Sequence, residues 1–214
     1  MLFNQLTPER LIANLIALLI AMTIHEFAHN YVGWRMGDPV PAREGRLTLN
    51  PFVHINWVGW LMFAIIGFGI LGAAPISPYR MPAENRRWRW LAAVAAGPVS
   101  NLLLAIIFAL IFQLLKPLIL SSDLLSLLVL QLVYWNVLLF FFNLLPMFPI
   151  DGWHIVYSLL PPDLAIQWER HQQTTQYIFF GLLLVSFLNI PGLPNIFGLL
   201  IGQPSSALLR FLLA

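Results

Sequence analysis

The chain of 214 residues contains no cysteine and few charged residues of either sign. Without cysteine it forms no disulfide and offers no thiolate to a metal, so any metal must bind nitrogen and oxygen ligands. Asp, Glu, Lys and Arg make up 9% of the residues and hydrophobic residues make up 59%. Because soluble domains carry about 25% charged residues, this composition argues against a soluble domain and indicates a polytopic membrane protein.

Basic residues are also too few to form a nucleic-acid surface. The net charge is +2, and the basic residues lie beside apolar segments, where they act as topology signals. We therefore expect no nucleic-acid partner and take the lipid bilayer as the surrounding medium. The length suits a single intramembrane domain over residues 1–214.

Several apolar runs approach the roughly 20 residues that a helix needs to cross a bilayer. They lie near 11–31, 55–74, 90–115, 124–148, 175–190 and 195–213. These runs predict an all-α polytopic membrane protein with about five to six membrane segments. Between the first two runs, proline and glycine argue against helix, and "REGRLTLNP" at 43–51 predicts a small β-hairpin near residues 40–50.

The first apolar run carries three ionisable side chains in the stretch "HEFAH", residues 25–29. Ionisable residues inside a membrane are costly and mark a functional site by default. On a helix, His25 and His29 project from one face, as the H-E-x-x-H motif of zinc metalloproteases requires. Glu26 lies about 100° further around the helix, where it could take a proton from a metal-bound water.

A catalytic zinc normally has three protein ligands, so this motif requires one more. Asp151 in "NLLPMFPIDGWH" is the preferred candidate because Pro146 and Pro149 interrupt the helix beside it. Irregular backbone of this kind is tolerated at membrane depth where it lines a wet cavity. The same Asp-Gly pair could also form a simple interfacial turn. The rival ligands are His54, His154 and Glu44.

Four stretches together resemble the site-2 protease family of intramembrane zinc metalloproteases. They are "HEFAH" at 25–29, "GRLTLNPFVHIN" at 45–56, "AAGPVSN" at 95–101 and "NLLPMFPIDG" at 143–152. The pattern is most similar to the compact bacterial branch, which has no PDZ or regulatory domain. The resemblance implies one Zn²⁺ ion bound by His25, His29 and Asp151, with Glu26 as the general base.

The resemblance bears on further residues. It implies that Asn143 helps to hold the substrate or the developing oxyanion, although this amide could instead satisfy carbonyls freed beside Pro146. His54 and His154 are candidates to support the ligands. Where the family commonly has a basic residue after the Asp-Gly pair, this chain departs from it with Trp153 and His154, so His154 could support Asp151 or simply face a loop. We also expect three residues to let their helix pack closely against its neighbours. They are Gly97, Pro98 and Asn101, which we call the "AAGPVSN" residues.

The metal site constrains the topology. If His25 and Asp151 share a metal, the chain between residues 32 and 89 must cross the membrane an even number of times. Only one obvious apolar run lies there, so 55–74 is expected to be re-entrant, with its turn near "GFGILGAAP". Seven basic residues then share the cytoplasmic side, which places the active site near that side of the plasma membrane: Arg35, Arg43, Arg46, Arg80, Arg86, Arg87 and Arg89.

These features predict an intramembrane zinc metalloendopeptidase that cleaves transmembrane-helix substrates by Glu-assisted attack of a zinc-bound water. An unwound substrate could pair with the edge of the hairpin at 43–51. The alternatives are a membrane transporter for metal ions or protons and a catalytically inactive relative that binds helices. The sequence does not identify the substrate or a regulatory partner.

Overall fold

The structure, a computed structural model, describes residues 7–66, 69, 71–188 and 195–214. Two short turns accompany the α-helices, a 3₁₀ turn at Pro78–Arg80 and a π-helical turn at Gly198–Gly202. The α-helices are α1 (Pro8–Arg35), α2 (Val40–Arg43), α3 (Pro51–His54), α4 (Trp57–Ile66), α5 (Arg86–Leu114), α6 (Lys116–Leu120), α7 (Asp123–Asn143), α8 (Asp151–Leu159), α9 (Pro162–Arg170), α10 (Gln172–Leu188) and α11 (Gln203–Leu213).

Among the described residues, three helices are long and apolar enough to cross a membrane, namely α1, α5 and α7. They correspond to the apolar runs predicted at 11–31, 90–115 and 124–148. The third helix ends at Asn143 rather than near residue 148. Pro146 explains this end, because proline lacks the N–H that continues a helix and its ring clashes with the preceding turn.

Two of these three helices, α1 and α5, bury small side chains inside the bundle. Ala17 and Ala21 of α1 are fully buried, as are Ala93 and Ala105 of α5. Small residues let helix backbones approach closely, which is how helices associate when the surrounding lipid is as apolar as they are. Many of the large apolar side chains on the three helices point outwards and are exposed, among them Ile12, Ile16, Leu103, Ile107, Leu110 and Leu124.

The remaining apolar runs form shorter helices. The α4 helix has 10 residues and is therefore about 15 Å long, half the thickness of a bilayer core. The α10 helix has 17 residues, and the last run forms the apolar helical stretch Gly198–Leu213. The count of five to six membrane segments stays a prediction.

The two ends of the 55–74 segment lie side by side. Ile55 and Gly72 form an isolated antiparallel bridge, and the Asn56 N–H donates to the Leu71 carbonyl over 2.9 Å. The segment therefore returns to the place where it began. Part of its expected turn, residues 67, 68 and 70, lies outside the described residues.

The β-hairpin predicted near residues 40–50 is wrong. Residues 40–43 form the helical turn α2, and the described residues 44–50 contain no strand. Two features favour the turn. Asp38 Oδ1 accepts the Val40 N–H over 3.1 Å, and Pro41 offers no N–H for a strand ladder. Arg46 then folds back, with its Nη1 donating to the Val53 carbonyl over 2.7 Å.

The two basic loops meet at one end of the helix bundle. Asp38, which is fully buried, accepts two bonds of 2.8 Å from the Arg80 guanidinium and one of 2.9 Å from the Ser77 N–H. Arg89 at the start of α5 donates to the Met36 carbonyl just after α1. The end of α1 and the beginning of α5 are thereby tied together.

The Asp38–Arg80 pair should stabilise the fold in a pH-dependent manner. Burial alone would raise the pKa of the Asp38 carboxyl, but the bonds from Arg80, Val40 and Ser77 outweigh burial and lower that pKa below its ordinary value. The stabilisation is then complete above the unfolded-state pKa of about 3.9 and is lost as the pH falls through the folded-state pKa.

We predict that Asp38→Asn lowers the free energy of unfolding by about 1–3 kcal/mol near neutral pH. The Arg80 side chain is 38% exposed, so solvent screening keeps the cost below that of a fully buried pair. Thermal unfolding of the protein in micelles, followed between pH 7 and pH 3, measures the effect. Glu44→Gln, which alters the exposed Glu44–Arg46 pair, is the control and should change little. The prediction fails if Asp38→Asn and wild type unfold alike at every pH.

Candidate metal centre

Three side chains from two distant parts of the chain converge on one point. His25 Nε2 and His29 Nε2 lie 3.0 Å apart, and Asp151 Oδ2 lies 3.1 Å from His29 Nε2 and 3.3 Å from His25 Nε2. Both histidines are buried in α1, and Asp151 is the first residue of α8. Among the described residues this is the group of three that could hold a metal ion.

The other nitrogen of each histidine ring has an acceptor. His25 Nδ1 lies 2.7 Å from Asn101 Oδ1, and His29 Nδ1 lies 2.8 Å from the Ala93 carbonyl oxygen. Because both partners only accept, each Nδ1 carries the proton and donates it. Each neutral ring therefore presents the lone pair of Nε2 to the convergence point, which is the tautomer that a metal ligand needs.

A chain of amides fixes the orientation of Asn101. Asn136 Nδ2 donates to the Leu132 carbonyl, so Asn136 Oδ1 accepts from Asn101 Nδ2 over 2.9 Å. Asn101 Nδ2 also donates to the Ala21 carbonyl, which leaves Oδ1 for His25. The sequence predicted a packing role for Asn101 and did not predict that its Oδ1 accepts the His25 hydrogen bond. The signal in the sequence was the presence of two amide side chains, Asn101 and Asn136, in otherwise apolar helices.

The donor set fits a cation. Three acceptors facing one another at 3.0–3.3 Å repel unless a positive charge lies between them. Ligands about 2.0–2.1 Å from a tetrahedral zinc are themselves about 3.3 Å apart. Two imidazoles and one carboxylate, with no thiolate, also suit a catalytic zinc rather than a structural one.

Gly97 of α5 leaves room for the cluster. A Cβ atom built on Gly97 would lie 2.2 Å from His29 Nε2 and 2.7 Å from His25 Cε1. Any side chain here would occupy the space of the two imidazoles. The glycine therefore serves the metal centre directly, in addition to the helix packing expected for the "AAGPVSN" residues.

The structure separates Asp151 from the rival ligands. Glu44 is exposed and pairs with Arg46 at 3.6 Å. His54 is buried, and its Nε2 bonds to the Thr48 carbonyl over 2.8 Å, outside the cluster. His154 packs edge-on against Trp90, with 5.5 Å between ring centroids. Burial lowers the pKa of the His154 imidazole, which keeps this ring neutral at pH 7.

A cavity of about 380 Å³ opens beside the cluster. Asn143 and His154 line it together with the three candidate ligands and Glu26. Asn143 donates one amide N–H to the Leu139 carbonyl, one turn earlier in α7, over 3.0 Å, and its bond to a carbonyl freed beside Pro146 stays a prediction. Its contact with a substrate stays a prediction, as do supporting roles for His54 and His154.

Glu26 reaches the same cavity from α1. Its side chain is buried, and Oε2 has no hydrogen-bond partner in the part of the chain that the structure describes. The segment 71–77, which is not helical and pairs through Gly72, passes alongside, and a Cβ atom on Gly72 would lie 2.7 Å from Glu26 Oε1. Only glycine lets the backbone pass this close to the carboxylate.

The bundle combines apolar helices of membrane-spanning length with an H-E-x-x-H face and a converging aspartate. These features together define a metal centre of the metalloprotease type. The chain is 35% identical over 179 residues to "Putative zinc metalloprotease YwhC" of Bacillus subtilis (strain 168), covering 80% of this chain and 79% of that protein. It is 31% identical over 179 residues to "Putative zinc metalloprotease Rip2" of Mycobacterium tuberculosis (strain ATCC 25618 / H37Rv), covering 79% of this chain and 64% of that protein. The chain belongs to this zinc metalloprotease family. No family model matches it, and no solved structure does.

We predict that Gly97→Ala abolishes zinc binding, because the added methyl group would overlap the His29 imidazole. Zinc content of the purified protein, measured by inductively coupled plasma mass spectrometry, tests this directly. Gly181→Ala is the matched control, since a Cβ atom on that helical glycine meets nothing within 4 Å. Stoichiometric zinc in Gly97→Ala would contradict the arrangement of α5 against the histidines.

Proposed function

We propose that the chain is an intramembrane zinc metalloprotease of the site-2 type and of its compact bacterial branch. It hydrolyses peptide bonds of transmembrane-helix substrates in the plasma membrane. The observation that carries the proposal is the convergence of His25, His29 and Asp151 beside the buried Glu26 carboxylate, in a cavity walled by apolar helices.

The ligands would be His25 Nε2, His29 Nε2 and Asp151 Oδ2. When bound, zinc would polarise the scissile carbonyl and lower the pKa of an adjacent water. Glu26 accepts the proton of the attacking water on its unpaired Oε2 and delivers it to the leaving amine. Asn101 and the Ala93 carbonyl hold both imidazoles in the required tautomer throughout.

The segment 71–77, which pairs with Ile55 through Gly72, is the candidate substrate-binding edge, in place of the hairpin expected at 43–51. Gly72, Ala73, Ala74 and Ile76 line the cavity. Leu71 turns its carbonyl towards Asn56. Because alternate residues of an antiparallel pair turn their polar groups to opposite sides, the N–H of Gly72 faces away from Ile55, and the proposed edge continues this alternation to Ala74. An unwound substrate could add there as a strand beside Glu26.

The contacts of segment 55–74 and of the two basic loops support the proposed membrane topology. The bridge between Ile55 and Gly72, together with the short α4 helix, supports a re-entrant 55–74 segment. The contacts of Asp38 with Arg80 and of Arg89 with Met36 support a single side for both basic loops. By the positive-inside rule that side is cytoplasmic, and the active site lies near it.

We predict that Glu26→Gln lowers cleavage of a defined transmembrane substrate by at least about 10²-fold, because the amide cannot accept the proton. Its zinc content should equal that of wild type, whereas Asp151→Asn should lose zinc. Cleavage and metal content are measured on the same protein in vesicles. Equal cleavage by wild type and Glu26→Gln would overturn the mechanism. Zinc or proton flux without cleavage would assign the chain to transport instead.

We predict that Ala74→Pro impairs cleavage and leaves zinc content unchanged, because proline removes an N–H that the added strand would use. The effect should be largest on KM and on substrate cross-linking to residue 76. Ala83→Pro, in the exposed loop before α5, is the control and should cleave normally. Unchanged turnover by Ala74→Pro would exclude this edge as the binding surface.

A further inference from the structure

A second cavity, larger than the one beside the cluster, lies at the beginning of α5. Its volume is about 760 Å³, and α8 and α9 form its other walls. It is separated from the metal cavity by Trp90 and His154, which line both. The proteolytic mechanism uses none of its polar groups.

Two arginines in this cavity are held in place with their outer nitrogens available. Arg86 Nε donates to the Met81 carbonyl over 3.2 Å, and Arg87 Nε donates to the Ser158 carbonyl. The Arg87 guanidinium also lies over the Trp88 ring, 5.3 Å from its centroid. In the described part of the chain, neither arginine has an ion-pair partner, and their Nη atoms make no hydrogen bond.

A guanidinium anchored through Nε presents its remaining N–H groups as a rigid fork. Such a fork matches the oxygen pairs of a phosphate, and less side-chain entropy is lost on binding because the group is already oriented. The acidic side chain lining the cavity, Glu169, is exposed. Anion binding is therefore favoured at the arginine side of the cavity.

The cavity lies at the end of a helix of membrane-spanning length, the level at which such a helix would meet phospholipid headgroups. Arg86 and Arg87 form the first turn of α5, one of the helices long enough to span the membrane. Trp88, Trp153, Tyr79 and Tyr157 line the same cavity, and Trp and Tyr are the residues that favour the membrane–water interface. Basic pockets between helices at this level suit anionic headgroups.

We propose that this cavity binds the phosphate headgroup of an anionic phospholipid, with Arg86 and Arg87 as the phosphate ligands. An acidic peptide segment is disfavoured, because the aromatic walls and the level of the first α5 turn match the headgroup layer. The proposal depends on membrane embedding and not on proteolysis. Its test therefore needs no substrate, and failure here leaves the proposed protease activity untouched.

The test is native mass spectrometry of the full chain released from micelles, titrated with dioleoyl-phosphatidylglycerol or dioleoyl-phosphatidylcholine. The first phosphatidylglycerol should bind about 10–30-fold more tightly than the first phosphatidylcholine, as two arginines near the surface would give. Arg86→Gln/Arg87→Gln should reduce that preference to near unity. Arg35→Gln/Arg43→Gln, which makes the same change in charge at exposed positions, should retain it.

Several outcomes would overturn the proposal. If wild type binds phosphatidylglycerol no more tightly than phosphatidylcholine, the proposal is overturned, even if the double variant at 86 and 87 fails to fold. Equal loss of preference in both double variants would indicate general surface charge. Displacement of phosphatidylglycerol by millimolar glycerol 3-phosphate would indicate a free-phosphate site. Displacement by an acidic peptide at the concentration of the lipid would indicate a peptide site.

Discussion

Three hydrogen-bond acceptors meet within 3.3 Å of one another in the interior of an apolar bundle. Such an arrangement is unfavourable unless a cation compensates it, since buried polar groups without partners are costly. Much of the structure serves to hold these acceptors together. The face of α1 supplies two of them, α5 orients both imidazoles, and the break after α7 delivers Asp151.

Close helix packing is the condition for this convergence. The imidazoles of α1 reach the carbonyl of Ala93 and the amide of Asn101 only because α5 presents small residues along the contact. At Gly97 even a methyl group would displace a ring. The same small residues that let apolar helices associate in lipid thus also create the volume that the metal site occupies.

The parts of the site that follow from local geometry could be predicted from the sequence. The i, i+4 spacing of His25 and His29 fixes a shared helix face, and the two prolines before Asp151 mark a break in the backbone. The role of Asn101 could not be predicted, because its bond to His25 joins residues 76 positions apart. That bond depends on the rotation of α5 about its axis, which apolar periodicity alone leaves open.

The error over the hairpin has a similar physical origin. "REGRLTLNP" has strand-like composition, but Asp38 and Pro41 favour a helical turn before it, and Arg46 satisfies a carbonyl that a ladder would have used. The strand-like pairing lies instead at Gly72, in the apolar run 55–74, whose composition resembles a membrane helix. Its pairing with Ile55 is a tertiary contact, which no local propensity specifies.

Irregular backbone itself identifies where water must reach this protein. The irregular segment 71–77 and the broken segment 144–150 carry peptide groups that helices would have satisfied internally. In hydrocarbon such groups are tolerated only where they line a polar cavity or are buried in protein. Both segments border the cavity beside Glu26. The groups that would be costly in lipid therefore border the cavity in which the proposed hydrolysis would need water and an unwound substrate would need hydrogen-bond partners.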